Sequence, residues 1–205
     1  KAYEFGDMYD QNRNKAFIDK LLLHKIKVYN SKGRFVVPVN QGQSRMVKNF
    51  FETHSKYVDS VFYDASAWSV SNIYNMKSKK LKSFFGESEI KSTENFIKNI
   101  KVNKSSYAYI LDWDDYNAAA ALNLLQKNKI ITYSAFKPFS VKVNGTKSIK
   151  KFNYGSLLIP VSKQNISSEK LFSIVKEMQE KYDVPVYNSE SGYSINGIDL
   201  GSNNF

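Results

Sequence analysis

The stretch that decides the fold is Lys129-Ile130-Ile131-Thr132-Tyr133, followed by Gly155-Ser156-Leu157-Leu158-Ile159-Pro160-Val161-Ser162-Lys163-Gln164. The same pattern occurs earlier as Lys25-Ile26-Lys27-Val28-Tyr29, followed by Gly33-Arg34-Phe35-Val36-Val37-Pro38-Val39-Asn40-Gln41. Each pair of apolar runs predicts two short strands, with helix-like sequence before and after the pair. The chain is therefore predicted to contain a helix–strand–strand–helix unit twice, and the second copy carries an insertion around Asn144-Gly145.

The alternation of strands and helices predicts the fold class. Helices of this length between strands are typical of a mainly parallel sheet that is covered on both faces. Leu157 to Val161 is apolar enough to lie inside such a sheet. We therefore expect an α/β sandwich, mainly parallel and flanked by helices on both faces, of a flavodoxin-like or glutamine-amidotransferase-like kind.

The length fits one domain of this type or two small ones. We expect residues 1–205 to form one α/β accessory domain, built from two repeat halves at 1–76 and 105–205. Residues 77–104 contain a cluster of lysines and are predicted to join the halves as a linker.

The composition excludes several classes of protein. Cysteine is absent, which removes disulfides and thiolate chemistry, and no apolar run approaches the length of a membrane span. The net charge is +11, but only Arg13, Arg34 and Arg45 are arginines. Because nucleic-acid sites use the bidentate fork of arginine, and the lysines are scattered, we expect no nucleic-acid partner.

Motifs that carry catalysis are missing from the sequence. The two histidines, His24 and His54, begin no zinc-peptidase pattern. The sequence also lacks a Gly-x-Ser-x-Gly elbow and the glycine-rich phosphate-binding patterns. We therefore predict no catalytic residue and no metal ligand in this segment.

Candidate ligand-binding residues follow predicted strands, since ligands of open α/β sheets bind beyond strand ends. They are Gln41, Gln43, Asp64, Trp68, Asp112, Trp113 and Asp114. Acidic and aromatic side chains at such a place suit a sugar, an amine or a metal ion, and two carboxylates suit acid/base catalysis. A structural alternative is that Asp114 or Asp115 caps the Ala-rich helix and that Trp113 is partly buried.

Several blocks of the sequence resemble a known family in the same order along the chain. These blocks are Val37-Pro38-Val39-Asn40-Gln41, Phe50-Phe51-Glu52, Asp59-Ser60-Val61-Phe62-Tyr63-Asp64-Ala65-Ser66-Ala67-Trp68-Ser69, Tyr154-Gly155-Ser156-Leu157-Leu158-Ile159-Pro160-Val161 and Gly197-Ile198-Asp199-Leu200-Gly201-Ser202. They resemble the region downstream of the peptidase domain in large bacterial zinc carboxypeptidases of the carboxypeptidase A-like class, in which a glutamine-amidotransferase-like region often follows. The zinc ligands and the catalytic Glu of that family have no counterpart here.

The resemblance implies a non-catalytic accessory domain of a periplasmic or extracellular zinc carboxypeptidase-like protein. Zinc would then belong to the longer protein and not to this segment, and the first partner would be the peptidase domain of the same chain. The role would be structural or substrate-presenting. Two alternatives remain open: a ligand-binding module for a peptide or glycan, and a carbohydrate-active enzyme that uses Asp112, Asp114 and Asp115.

Overall fold

The chain forms two compact units, residues 1–97 and 98–205. The computed structural model describes residues 1–53, 69–97, 101–145 and 148–205. None of the helices within these ranges is both long and apolar enough to cross a membrane.

The described part of the first unit contains a five-stranded sheet and three helices. Its elements, in chain order, are β1 (Ala2–Phe5), α1 (Gln11–Leu23), β2 (Val28–Ser31), β3 (Arg34–Pro38), α2 (Ser44–Phe51), α3 (Val70–Ile73), β4 (Ser78–Leu81) and β5 (Glu89–Ile90). The strand order across the sheet is β4-β1-β3-β2-β5. Two strands of this sheet, β4 and β5, therefore come from the Lys-rich segment 77–104.

Local sequence accounts for the main turns of the first unit. Asp10 caps α1, because its side chain accepts a hydrogen bond from the backbone N–H of Arg13 at 2.8 Å. Lys32 and Gly33 both have positive φ, the conformation of a tight turn between antiparallel strands. This turn forces β3 to fold back directly beside β2.

The second unit repeats this order and adds an inserted hairpin. Its elements are β6 (Ala108–Leu111), α4 (Ala118–Lys127), β7 (Tyr133–Ser134), β8 (Phe139–Lys142), β9 (Ile149–Phe152), β10 (Leu157–Pro160), α5 (Ser168–Tyr182), β11 (Val186–Ser189) and β12 (Asn196–Gly197). The main sheet has the order β11-β6-β10-β7, and a smaller sheet has the order β12-β8-β9.

The two main sheets share one topology. Leaving aside α3, β5 and the inserted hairpin, the order along each unit is strand, helix, strand, strand, helix, strand. Numbered in that order, the four strands lie as 4-1-3-2 in both sheets. The pairing register also agrees, since Ala2 lies opposite Pro38 and Ala108 lies opposite Pro160. Each unit therefore has the split βαβ arrangement called ferredoxin-like.

The predicted parallel sheet is wrong, because every strand pairing in the described ranges is antiparallel. In a split βαβ unit the helix connects two strands that are parallel but not adjacent, and a third strand lies between them. Strands and helices consequently alternate along the chain as they would in a parallel sheet. The flavodoxin-like and glutamine-amidotransferase-like sandwiches are both overturned by this strand order.

Among the described residues, the helices pack on one face of each sheet. In the first unit, Phe17 and Leu21 of α1 and Phe50 of α2 share one core with Phe5 and Val37 of the sheet. In the second unit, α4 and α5 pack on the face that carries Tyr109, Leu111 and Ile159. The opposite face, with Ile110 and Leu158, packs against Phe139 and Phe152 of the inserted hairpin. The predicted helical layers on both faces are therefore wrong as well.

Candidate functional site

The acidic and aromatic residues after β6 lie at one end of the second sheet. Asp112, Trp113 and Asp114 follow Leu111, which pairs with Leu157 at the start of β10. The antiparallel pairing places the loop before β10 beside them. We call the group formed by Asp112, Trp113, Asp114, Asn153 and Tyr154 the Trp113 surface.

The indole of Trp113 lies against the backbone of Gly155. A Cβ atom at Gly155 would lie only 3.1 Å from Cδ1 of Trp113, and Gly155 has a φ of +81°. Glycine is required here for both reasons, because other residues rarely adopt this φ and would press on the ring. Trp113 nevertheless remains 39% exposed, and the neighbouring Tyr154 is 66% exposed. Two aromatic residues are thus partly open to solvent at this end of the sheet.

The polar side chains around Trp113 are fixed by their own contacts. Asn153 Nδ2 donates to Asp114 Oδ2 at 3.2 Å. Lys150 Nζ lies 3.4 Å from Asp112 Oδ2 and 4.8 Å from the centre of the Tyr187 ring, a cation–π distance. These contacts link the loops after β6 and before β10 to the inserted hairpin.

The three carboxylates each have a separate partner. Asp112 pairs with Lys150, Asp114 accepts from Asn153, and Asp115 Oδ1 accepts from the backbone N–H of Asn117 at 2.8 Å. The last contact lies in the turn that leads into α4, whose N-cap is Asn117 and not the predicted Asp114 or Asp115. These contacts bind the three carboxylates to a lysine, a side-chain amide and a backbone N–H.

The other predicted site residues lie elsewhere. The Gln41 side chain binds backbone: its Oε1 accepts from Lys27 N at 2.8 Å and its Nε2 donates to Pro38 O at 2.7 Å. Gln43 is exposed at the start of α2 and makes no capping hydrogen bond with its side chain. Both lie in the first unit, whereas Asp112, Trp113 and Asp114 lie in the second. Asp64 and Trp68 lie outside the described residues.

The histidines contribute little to a metal site in the described ranges. His24 follows α1 as its C-cap, and its ring packs edge-on against Phe50 with 5.5 Å between ring centres. His54 lies outside the described residues. Within those residues, no three His, Cys, Asp or Glu side chains lie close enough to hold a metal ion.

A cavity in the first unit was missed by the sequence analysis. Its volume is about 820 Å³, and it is lined by Tyr3, Phe51, Glu52, Thr53, Asn72, Asn75, Met76, Lys77, Ser78 and Lys80. The lining residues come from β1, from the end of α2 and from the segment through β4. They are distant in sequence, so only the position of β4 beside β1 brings them together.

The surface residues Lys150, Asn153 and Gly155 were missed for a related reason. Asn153 and Gly155 lie beside Asp112 to Asp114 because β10 is antiparallel to β6, and Lys150 of β9 contacts Asp112 from the inserted hairpin. Gly33 and Gly155 were the available sequence signal for this pairing. A glycine just before a strand indicates a turn after which that strand folds back on its neighbour.

Comparisons with protein-family models, with curated proteins and with solved structures find no match for this chain. The resemblance to the region downstream of zinc carboxypeptidases therefore rests on the sequence blocks alone.

Proposed function

We propose that this chain is a non-catalytic accessory domain of an exported zinc carboxypeptidase-like protein and that it holds substrate at the Trp113 surface. The sequence blocks that resemble zinc carboxypeptidases, and their order along the chain, support a longer protein of that kind. Its peptidase domain would be the partner of this chain. One observation carries the substrate-holding role: Trp113 packs closely on Gly155 and stays partly exposed beside the Asp114–Asn153 pair.

A glycan is the ligand that suits this surface best. The C–H face of a sugar ring is apolar and packs on an indole, while its hydroxyls bond to carboxylate and amide oxygens. Asp114 and Asn153 place such groups next to Trp113. Because Gly155 and Asn153 already hold the surface in shape, little conformational entropy is lost on binding.

The first experiment measures binding of soluble hexasaccharides to the whole chain by isothermal titration calorimetry. Cellohexaose, xylohexaose and chitohexaose serve as ligands, and an extended hexapeptide tests the peptide alternative. We expect one glycan to bind and Trp113→Ala to weaken that binding by about tenfold or more.

Tyr193→Ala is the matched control, because Tyr193 is exposed and follows the end of β11 that lies beside Ala108, whereas Trp113 follows the opposite end of β6. It should leave glycan affinity unchanged. Equal weakening by both substitutions, or binding of the hexapeptide alone, would contradict the proposed ligand.

The non-catalytic role has its own test. The described residues offer no zinc ligand set, and His24 serves as a helix cap. The chain should therefore neither retain zinc after dialysis against a chelator nor cleave peptides. Stoichiometric retained zinc together with peptide turnover would overturn the accessory role.

A further inference from the structure

We propose that the cavity of the first unit binds a small carboxylic acid that carries an apolar group and a neighbouring N–H donor. The cavity is formed by residues 3–80 of the first unit, so it is separate from the Trp113 surface of the second. This inference does not depend on the proposed function, and either can fail alone.

The inner wall of the cavity is apolar and rigid. Tyr3, Phe51 and Met76 are almost fully buried. The rings of Tyr3 and Phe51 stack with 5.0 Å between their centres and 9° between their planes. A volume of about 820 Å³ lies within the usual range of small-molecule sites. An apolar group of a ligand would contact Phe51 and Met76 here.

Among the described residues, the rim of the cavity carries one carboxylate and two ammonium groups. Lys80 Nζ lies 3.7 Å from Glu52 Oε1, and Tyr3 donates its hydroxyl hydrogen to the same oxygen at 3.2 Å. Lys77 makes no ion pair with the described part of the chain. The two lysines against one glutamate leave an excess positive charge at the rim, which favours an anionic ligand.

Several polar groups of the lining remain available to a ligand. Among the described residues, nothing hydrogen-bonds to the side-chain amides of Asn72 and Asn75 or to Oε2 of Glu52. Burial and the negative charge of Glu52 raise the pKa of Tyr3 to about 12, so its hydroxyl stays protonated and keeps donating to Glu52. Oε2 of Glu52 can therefore accept an N–H from a ligand whose carboxylate lies at Lys77 and Lys80.

In the second unit the tyrosine at the same position contacts its own chain. Tyr109 matches Tyr3 in register, since each lies one residue after the alanine that pairs with proline. The hydroxyl of Tyr109, however, accepts a hydrogen bond from the backbone N–H of Ser105 at 3.1 Å. The helix α5 has 15 residues, whereas α2 has 8 and ends at the cavity. The two matching tyrosines therefore have different partners, Glu52 in the first unit and Ser105 in the second.

The test compares two ligands of similar size, one with a carboxylate and one with a neutral carboxamide in its place. Isothermal titration calorimetry of the whole chain would use N-acetylphenylalanine and its neutral amide, N-acetylphenylalaninamide. We expect the acid to bind and the amide to bind about tenfold more weakly or worse. No binding of the acid at about 10 mM, or equal binding of the amide, would overturn the proposal.

Two lysines on one strand supply matched variants. Lys80 lies opposite Tyr3 and lines the cavity, whereas Lys79 lies opposite Glu4 and its side chain points to the other face of the sheet. We expect Lys80→Gln to weaken binding of the acid by about tenfold and Lys79→Gln to leave it unchanged. Lys77→Gln should also weaken binding of the acid, and it changes an exposed residue outside β4, so it tests the cavity even if Lys80→Gln disturbs that strand. Equal affinity of Lys79→Gln and both cavity variants would place the acid outside this cavity.

Discussion

Gln41 and Gln164 make the same three hydrogen bonds in the two units. Oε1 accepts from the backbone N–H of Lys27 at 2.8 Å in the first unit and of Ile131 at 2.9 Å in the second. Each Nε2 donates to the carbonyl of that same residue and to the carbonyl of a proline at the end of a strand, Pro38 of β3 or Pro160 of β10. The two units thus share a side-chain brace as well as a strand order.

This brace joins the segment before one strand to the end of its neighbour, and its loss leaves backbone groups without those partners. We expect Gln41→Ala and Gln164→Ala each to lower the free energy of unfolding by about 1–2 kcal/mol. Urea denaturation followed by circular dichroism would measure the change.

Gln43→Ala is the control for the brace, because Gln43 is exposed and its side chain does not cap α2. Its effect should stay within about 0.5 kcal/mol. A Gln43→Ala effect as large as that of Gln41→Ala would show that the brace does not stabilise the fold.

Local elements follow from the sequence because their signals are local. The Ala-rich run and the Ser167 cap predict α4 and α5, and Ser167 does accept from Lys170 N at 3.3 Å. The turn at Asn144-Gly145 has the positive φ values, 56° and 62°, that this dipeptide favours. Each of these features depends only on residues within a few positions of one another.

Sheet order could not be predicted in the same way. A helix between two parallel strands has the same amphipathic pattern whether those strands are adjacent or separated by a third. The continuous apolar run of β10 is typical of a strand in a parallel sheet with helices on both sides. In the structure Leu158 is buried under the inserted hairpin, and Ile159 is buried under helices. Because the predicted strand order was wrong, the proximity of Asn153 and Gly155 to Trp113 could not be predicted. That proximity depends on the antiparallel pairing of β10 with β6.

The inserted hairpin should contribute strongly to stability, because it covers the second face of its sheet. Phe152 is fully buried, and its ring stacks on Phe139 with 5.1 Å between ring centres. We expect Phe152→Ala to cost about 3–5 kcal/mol, measured by urea denaturation. Ile149→Ala, at an exposed position of the same strand, should cost less than about 0.5 kcal/mol. A small loss for Phe152→Ala would mean that the hairpin packs only loosely on the sheet.

Asp7 should make the stability of the first unit depend on acid pH. Burial of this carboxyl acts to raise its pKa, but hydrogen bonds from Tyr9 N and Asp10 N, with the charge and hydrogen bond of Arg13 at 2.9 Å, lower the pKa overall. A pKa that is lower in the folded state contributes stability above the unfolded value, and that contribution is lost as the pH falls through the folded value.

We therefore expect Asp7→Asn to cost about 1–2 kcal/mol at pH 7 and to cost progressively less as the pH falls below about 4. Thermal denaturation from pH 7 to pH 2 measures this convergence with the unmodified chain. Glu94→Gln changes an exposed carboxyl of the same unit and should give a small difference at pH 7. A cost of Asp7→Asn that stays constant down to pH 2 would show that the charge of Asp7 is unimportant.

Alanine substitutions at Gly155 and Gly33 would distinguish the effect of backbone strain from the effect of displacing Trp113. Its counterpart in the first unit, Gly33, has nearly the same φ, +79° against +81°, but a Cβ atom there would meet nothing within 4 Å. Alanine at either position should cost about 1–2 kcal/mol from the left-handed backbone. Only Gly155→Ala should also displace the indole, since its Cβ would lie 3.1 Å from Cδ1 of Trp113. We expect Gly155→Ala to change tryptophan emission and to weaken glycan binding, whereas Gly33→Ala leaves both as they are. If Gly155→Ala altered stability alone, the packing of Trp113 on this glycine would have no part in forming the binding surface.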